Sequence, residues 1–132
     1  MASIIVDTSV WIDFFRGSLP NDTSLSLSTA IRERQVAITD IIRHEILVGA
    51  RNERDYSELQ ALLSPLHCHR IQDQELADFD RFAWNLKTKG FRGKYTDASI
   101  AYLAHTHQCA LASFDHYFKF IEKLGLIQMV AL

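Results

Sequence analysis

Short apolar runs alternate along this chain with longer stretches in which apolar residues return every three or four positions. The runs Ile4–Val6, Val36–Thr39, about Cys68–Ile71, Ala110–Phe114 and Leu126–Val130 read as strands. Periodic stretches at about Val10–Arg16, Leu25–Arg34, Ile41–Arg51, Asp55–Leu63, Gln74–Lys89, Asp97–His107 and Tyr117–Leu124 read as helices, the last stopped by Gly125. Strands separated by helices imply right-handed crossovers and a mostly parallel sheet of about five strands, covered on both faces. The expected fold class is α/β. In such sheets ligands bind beyond the carboxyl ends of the strands, where the strand order reverses.

Size and composition narrow the class. At 132 residues the chain is most simply one domain, 1–132. Its 48% hydrophobic and 23% charged residues belong to a folded chain rather than a disordered one. No apolar stretch approaches the roughly 20 residues that span a bilayer, so no membrane partner is expected. The first residues lack the basic and long apolar regions of a signal peptide. Cys68 and Cys109 form no disulfide or metal framework, so the expected setting is the reducing cytoplasm. A net charge of −2 speaks against binding nucleic acid by bulk charge. It leaves open an enzyme that meets a polyanion through metal ions and a local basic patch.

The candidate chemistry is acidic. Asp7 and Asp115 each follow a strand and precede a helix, where an Asp alone is read as an N-cap; Asp40 is assigned to that role. On the helix wheel Glu45 is flanked by Ile41, Ile42, Val48 and Gly49, a carboxylate set in an apolar stripe, which is costly unless paired. Asp97 shares the inward face of its helix with Ile100, Ala101 and Ala104, although an acid in a first turn also suits the helix dipole. Each acid has an ordinary explanation by itself. If all four converge on one crevice, their repulsion calls for Lys, Arg or a divalent cation. An all-oxygen donor set favours Mg²⁺ or Mn²⁺, the site a phosphodiesterase needs.

Asp7-Thr8-Ser9-Val10-Trp11-Ile12, Glu45 within "HEILVGAR", Asp97 within "YTDASIAYLA" and Asp115 within "LASFDHYF" resemble the PIN domain, and more narrowly the VapC-type toxins of toxin–antitoxin pairs. The resemblance runs along nearly the whole chain in the family's motif order. It implies a three-layer α/β/α fold and a Mg²⁺- or Mn²⁺-dependent endoribonuclease leaving 5′-phosphate ends. It also implies a homodimer silenced by a cognate VapB-type antitoxin. Asp7, Glu45, Asp97 and Asp115 would then hold one or two ions, with Ser9 orienting Asp7. Ser113 stands where the family more often has Thr, and keeps a supporting hydroxyl. Tyr117 stands where many members carry a further Asp, which leaves the second ion open. Alternatives are a non-toxin PIN nuclease of RNA processing and a non-catalytic metal- or phosphate-binding regulatory module. A haloacid-dehalogenase-like phosphotransfer domain needs a second Asp where this chain has Ser9.

"KTKGFRGK" places Lys87, Lys89, Arg92 and Lys94 around Phe91. It reads either as a rim gripping RNA phosphates, with Phe91 stacking on a base, or as a solvated helix end. Arg16, Arg51 and Arg54 are secondary candidates at the crevice entrance. "HCHR" at 67–70 lacks a second ligand pair at zinc-site spacing and reads as surface histidines beside a small buried Cys68. His105 and His107 point apart on their helix. Trp11, Phe14 and Phe15 have helical spacing and read as packing, or as a groove for an antitoxin helix.

Overall fold

A computed structural model describes residues 4–132. Its strands are β1 (Ile4–Val6), β2 (Val36–Thr39), β3 (His67–His69) and β4 (Ala110–Ala112). They form one parallel sheet in the order β3-β2-β1-β4, with Ile4 level with both Val36 and Ala110 and with Ala37 level with His67. All four residues of β2 are buried, and Ile5, Val6 and Leu111 are fully so. A strand covered on both faces cannot alternate apolar with polar, which is why these segments appear as continuous runs.

Seven α-helices accompany the sheet among the described residues: α1 (Thr8–Arg16), α2 (Asn21–Arg32), α3 (Asp40–Val48), α4 (Glu53–Leu63), α5 (Leu76–Thr88), α6 (Tyr95–Thr106) and α7 (His116–Lys123). A 3₁₀ turn at Asp73–Glu75 leads into α5. Every periodic stretch is a helix, with ends displaced by a few residues. The α6 helix is apolar nearly all round, and each residue from Ala98 to Ala104 is buried. In α1, Trp11 is fully buried and stacks on Phe15 at 5.6 Å, so Trp11 is packing, while Phe14 and Phe15 are half-buried at the edge of the core. None of the described helices is long and apolar enough to cross a membrane.

Two expectations change. Leu126–Val130 is no fifth strand: only Leu111 and Met129 bridge, through Leu111 N–H to the Gln128 carbonyl (2.9 Å) and Val130 N–H to the Leu111 carbonyl (3.0 Å). The Met129 N–H instead donates to Glu122 Oε2 at 2.8 Å, which holds the segment to α7 rather than continuing a ladder. Asp40 is not the cap of α3. Thr39, the last residue of β2, accepts the Ile42 N–H at 3.2 Å, and Asp40 is the first helical residue.

The chain builds β1, then β2, then β3 outward to one side, and returns to place β4 on the other side of β1. The order therefore reverses at β1, and the crevice lies beyond the carboxyl ends of β1 and β4. Asp7 and Ser113 are the residues that immediately follow those two strands.

Candidate active site

Asp7 is the best-anchored acid. It is 8% exposed, caps α1, and uses both carboxylate oxygens: Oδ1 accepts the Thr8 N–H at 2.9 Å and Oδ2 accepts the Ser113 hydroxyl at 2.7 Å. The Ser113 oxygen in turn accepts the Asp115 N–H at 3.0 Å, and Asp115 Oδ1 accepts the Tyr117 N–H at 2.9 Å to start α7. One serine thus ties the end of β4 to the end of β1. Burial pushes the Asp7 carboxyl above its ordinary 3.8; the bonds from Ser113 and Thr8 oppose this, and the charges of Asp115 and Glu45 add to it.

Asp97 sits in the first turn of α6, where Oδ2 accepts the Lys94 N–H at 3.0 Å. Its carboxyl is also raised, chiefly by burial, with Asp115 and Glu45 adding and the Lys94 amide and charge opposing. The charges of Asp115, at the cap of α7, and of Glu45, on α3, therefore act on both Asp7 and Asp97. Glu45 arrives differently from the wheel reading. Ile42, Ile46 and Leu47 make the buried face of α3, while Val48 is 69% exposed and Glu45 itself is exposed at the rim. Its Oε1 accepts the Thr8 hydroxyl at 2.8 Å. An exposed carboxylate held by a neighbour's hydroxyl carries no burial cost, so no apolar stripe encloses it.

Ser9 does not orient Asp7. Its hydroxyl is buried and has no hydrogen-bond partner, and the aiming bonds come from Thr8 and Ser113. Thr8 escaped the sequence reading, although a hydroxyl beside a strand-end acid is itself a signal. In the basic segment Lys87, Lys89, Arg92 and Lys94 are all exposed, and Lys94 is the one whose charge reaches Asp97. Phe91 is buried against Tyr117 and Phe120, with centroids at 5.9 and 6.0 Å, so it offers no face to a base. Gly93 makes that burial possible, since a Cβ there would overlap the Phe91 ring. Arg16 and Arg51 line a cleft of about 580 Å³ with Ile12, Phe15 and Glu45, whereas Arg54 pairs with Glu58 at 3.1 Å.

A cavity of about 830 Å³ lies elsewhere, built largely from segments that lead into β2, β3 and β4. His67 and His69 lie side by side on its wall in edge contact at 4.6 Å between ring centroids, His69 stacks on His107 at 3.9 Å, and Cys109 Sγ lies 4.0 Å from His69 Nε2. Burial, then the neighbouring imidazoles, lower His69 to about 4. The buried thiol is Cys109, and Cys68 is half-buried.

Among the described residues no group of three or more Asp, Glu, His or Cys is placed to hold a metal ion. For Mg²⁺ none is required, because this ion takes one or two carboxylates directly and keeps several waters. The donor set fits such an ion: every candidate ligand is an oxygen, and Asp7 and Asp97 are both raised, chiefly by burial, with the charges of Asp115 and Glu45 adding. The unpartnered Ser9 hydroxyl adds a buried polar atom in the turn that follows Asp7.

The family model described as "PIN domain" matches residues 4–124. No curated protein sequence matches the chain. Among solved structures, the chain is similar to VapBC2 from Rickettsia felis bound to a promoter DNA fragment (17% identity, 96% of each chain covered, TM-score 0.76). It is also similar to DNA-bound VapBC from Salmonella typhimurium (17%, 98% of each chain, 0.76) and to FitAcB from Neisseria gonorrhoeae (18%, 97% of each chain, 0.69). At these identities the likeness is one of fold.

Proposed function

The chain belongs to the PIN domain family, and on that premise we propose that it is a divalent-metal-dependent endoribonuclease, the VapC-like toxin of a pair silenced by a VapB-like antitoxin. The observation that carries the reading is the Ser113 hydroxyl, which bonds Asp7 and Asp115 together at the point where the sheet order reverses. Asp7, Asp97, Glu45 and Asp115 are the residues that would hold one or two Mg²⁺ or Mn²⁺ ions. A bound ion supplies Lewis-acid activation of the phosphate and of the attacking water.

The protein's own part is positional. Thr8 and Ser113 fix the Asp7 carboxylate in one orientation while each oxygen keeps a free lone pair. Thr8 holds Glu45 at the rim, and Asp97 is anchored by the start of its own helix. Lys87, Lys89, Arg92 and Lys94 lead directly into α6 and would draw the RNA backbone toward the acids. The cleft between α1, α3 and α4, where Ile12, Phe15 and Leu59 lie among Arg16, Arg51, Glu45 and Asp55, suits an amphipathic partner helix of the helix-in-groove kind. Trp84 and Leu76, exposed on α5, would meet a second copy in a homodimer. Its work would be cytoplasmic.

The test is incubation of purified protein with single-stranded RNA and Mg²⁺ or Mn²⁺, with the new 5′ ends mapped. Internal cuts bearing 5′-phosphates, abolished by EDTA, are expected. Intact RNA under all metals would overturn the reading.

A further inference from the structure

The loop between β4 and α7 displays an aromatic ring that the fold does not use. Phe114 is 60% exposed, yet both of its neighbours are pinned, Ser113 on Asp7 and the Asp115 amide on Ser113. The Ser113 Oγ to Asp115 N–H bond closes a tight turn, with Phe114 as its middle residue. Its backbone is thereby fixed before any ligand arrives. The ring also walls a second cavity, of about 360 Å³, whose other sides include Val10, Met129, Val130 and Lys119. Ser113 lines this cavity too, so it adjoins the acid crevice with one side chain between them.

We propose that Phe114 and this cavity form a nucleobase subsite for single-stranded RNA, taking the base next to the scissile phosphate. This rests on the ribonuclease reading. An exposed ring beside an apolar recess binds a planar base by stacking, and sequence tolerance follows because every base has a π-face. A base in a duplex has both faces covered, so the subsite selects unpaired RNA. Lys119, exposed one turn into α7, provides a cation for the adjoining backbone. The Asx and serine bonds that pin the loop also limit the ordering cost of binding.

The test is a double-mutant cycle on RNA affinity. Wild type and Phe114→Leu are titrated with a short single-stranded RNA and with a set of the same oligonucleotides, each lacking one base. EDTA is present, so that binding is read without cleavage. Phe114→Leu should weaken binding about tenfold, within the range one stacked base contributes, and Phe114→Trp should restore it. Removing the base at one position should cost the wild type a similar factor and cost Phe114→Leu nothing further. The ring is exposed, so an unchanged melting temperature in both variants is expected alongside. Wild-type RNA binding that Phe114→Leu leaves intact, or base removals that cost both proteins equally, would overturn the subsite alone. A wild type that neither binds nor cuts RNA would overturn it together with the ribonuclease reading.

Discussion

Two clusters of titratable side chains occupy different parts of this sheet, and they resolve their electrostatics in opposite ways. Beyond the carboxyl ends of β1 and β4, burial raises the carboxyls of Asp7 and Asp97, and the charges of Asp115 and Glu45 add to it. On and beside β3, His67 meets His69 edge-on, His69 stacks on His107, and His69 is lowered to about 4. An imidazole that sheds its proton becomes a flat, neutral packing surface. A carboxylate near neutral pH has no such exit: it stays charged, and a cation is what balances it. The cavity of about 830 Å³ therefore belongs to the cluster that has relaxed, and the crevice beyond β1 and β4 to the one whose carboxylates still repel.

Substitution should separate the clusters first. Asp97→Asn should lower RNA cleavage by about 10³-fold, the scale of losing one group that stabilises transition-state charge, while His69→Gln leaves it unchanged. Single-turnover cleavage measures both, and equal losses would erase the distinction. Ser113→Ala removes the brace between Asp7 and Asp115 and should cost about 1 kcal/mol in chemical denaturation, with a fall in cleavage that Ser113→Thr restores.

Acidification should then move the clusters in opposite directions in metal-free protein. Below their raised pKa values, Asp7 and Asp97 bind protons in the folded state that the unfolded chain takes up only near 3.8. Their contribution to stability thus grows as pH falls toward that value. His69 behaves inversely: the unfolded imidazole binds its proton near 6.5 and the folded one near 4, so stability is lost as pH falls between them. Denaturation across this range should show Asp97→Asn flattening the first slope and His69→Gln the second. The smallest effect belongs to the basic segment. Lys89→Ala with Arg92→Ala should reduce the salt slope of RNA binding by about 0.7 for each phosphate left without its cation, and an unchanged slope would return these residues to plain solvation.

Much of this was legible because strand ends and helix starts are local features. Asp7 and Asp115 stand directly at such junctions, and all seven helices carry their own periodicity. What escaped depends on contacts between distant segments. Ile41 and Val48 are apolar without being central to the core, so the wheel of α3 pointed to the wrong face and set Glu45 inside it. Ser9 and Ser113 are equally plausible partners for Asp7 on paper; only the pairing of β1 with β4 puts Ser113 at 2.7 Å. The polar neighbours of Phe91 suggest an exposed ring, but Tyr117 and Phe120, which arrive from α7, bury it. The Met129 amide is taken by Glu122, and no strand pattern reveals that.

On the proposed reading the four acids would hold a cation and the imidazoles would not. Titration of Mn²⁺ into the protein, followed by the free-ion electron paramagnetic resonance signal, tests it most directly. Saturable binding is predicted for wild type and for His69→Gln, with loss in Asp97→Asn. Binding retained by Asp97→Asn and lost in His69→Gln would contradict the account.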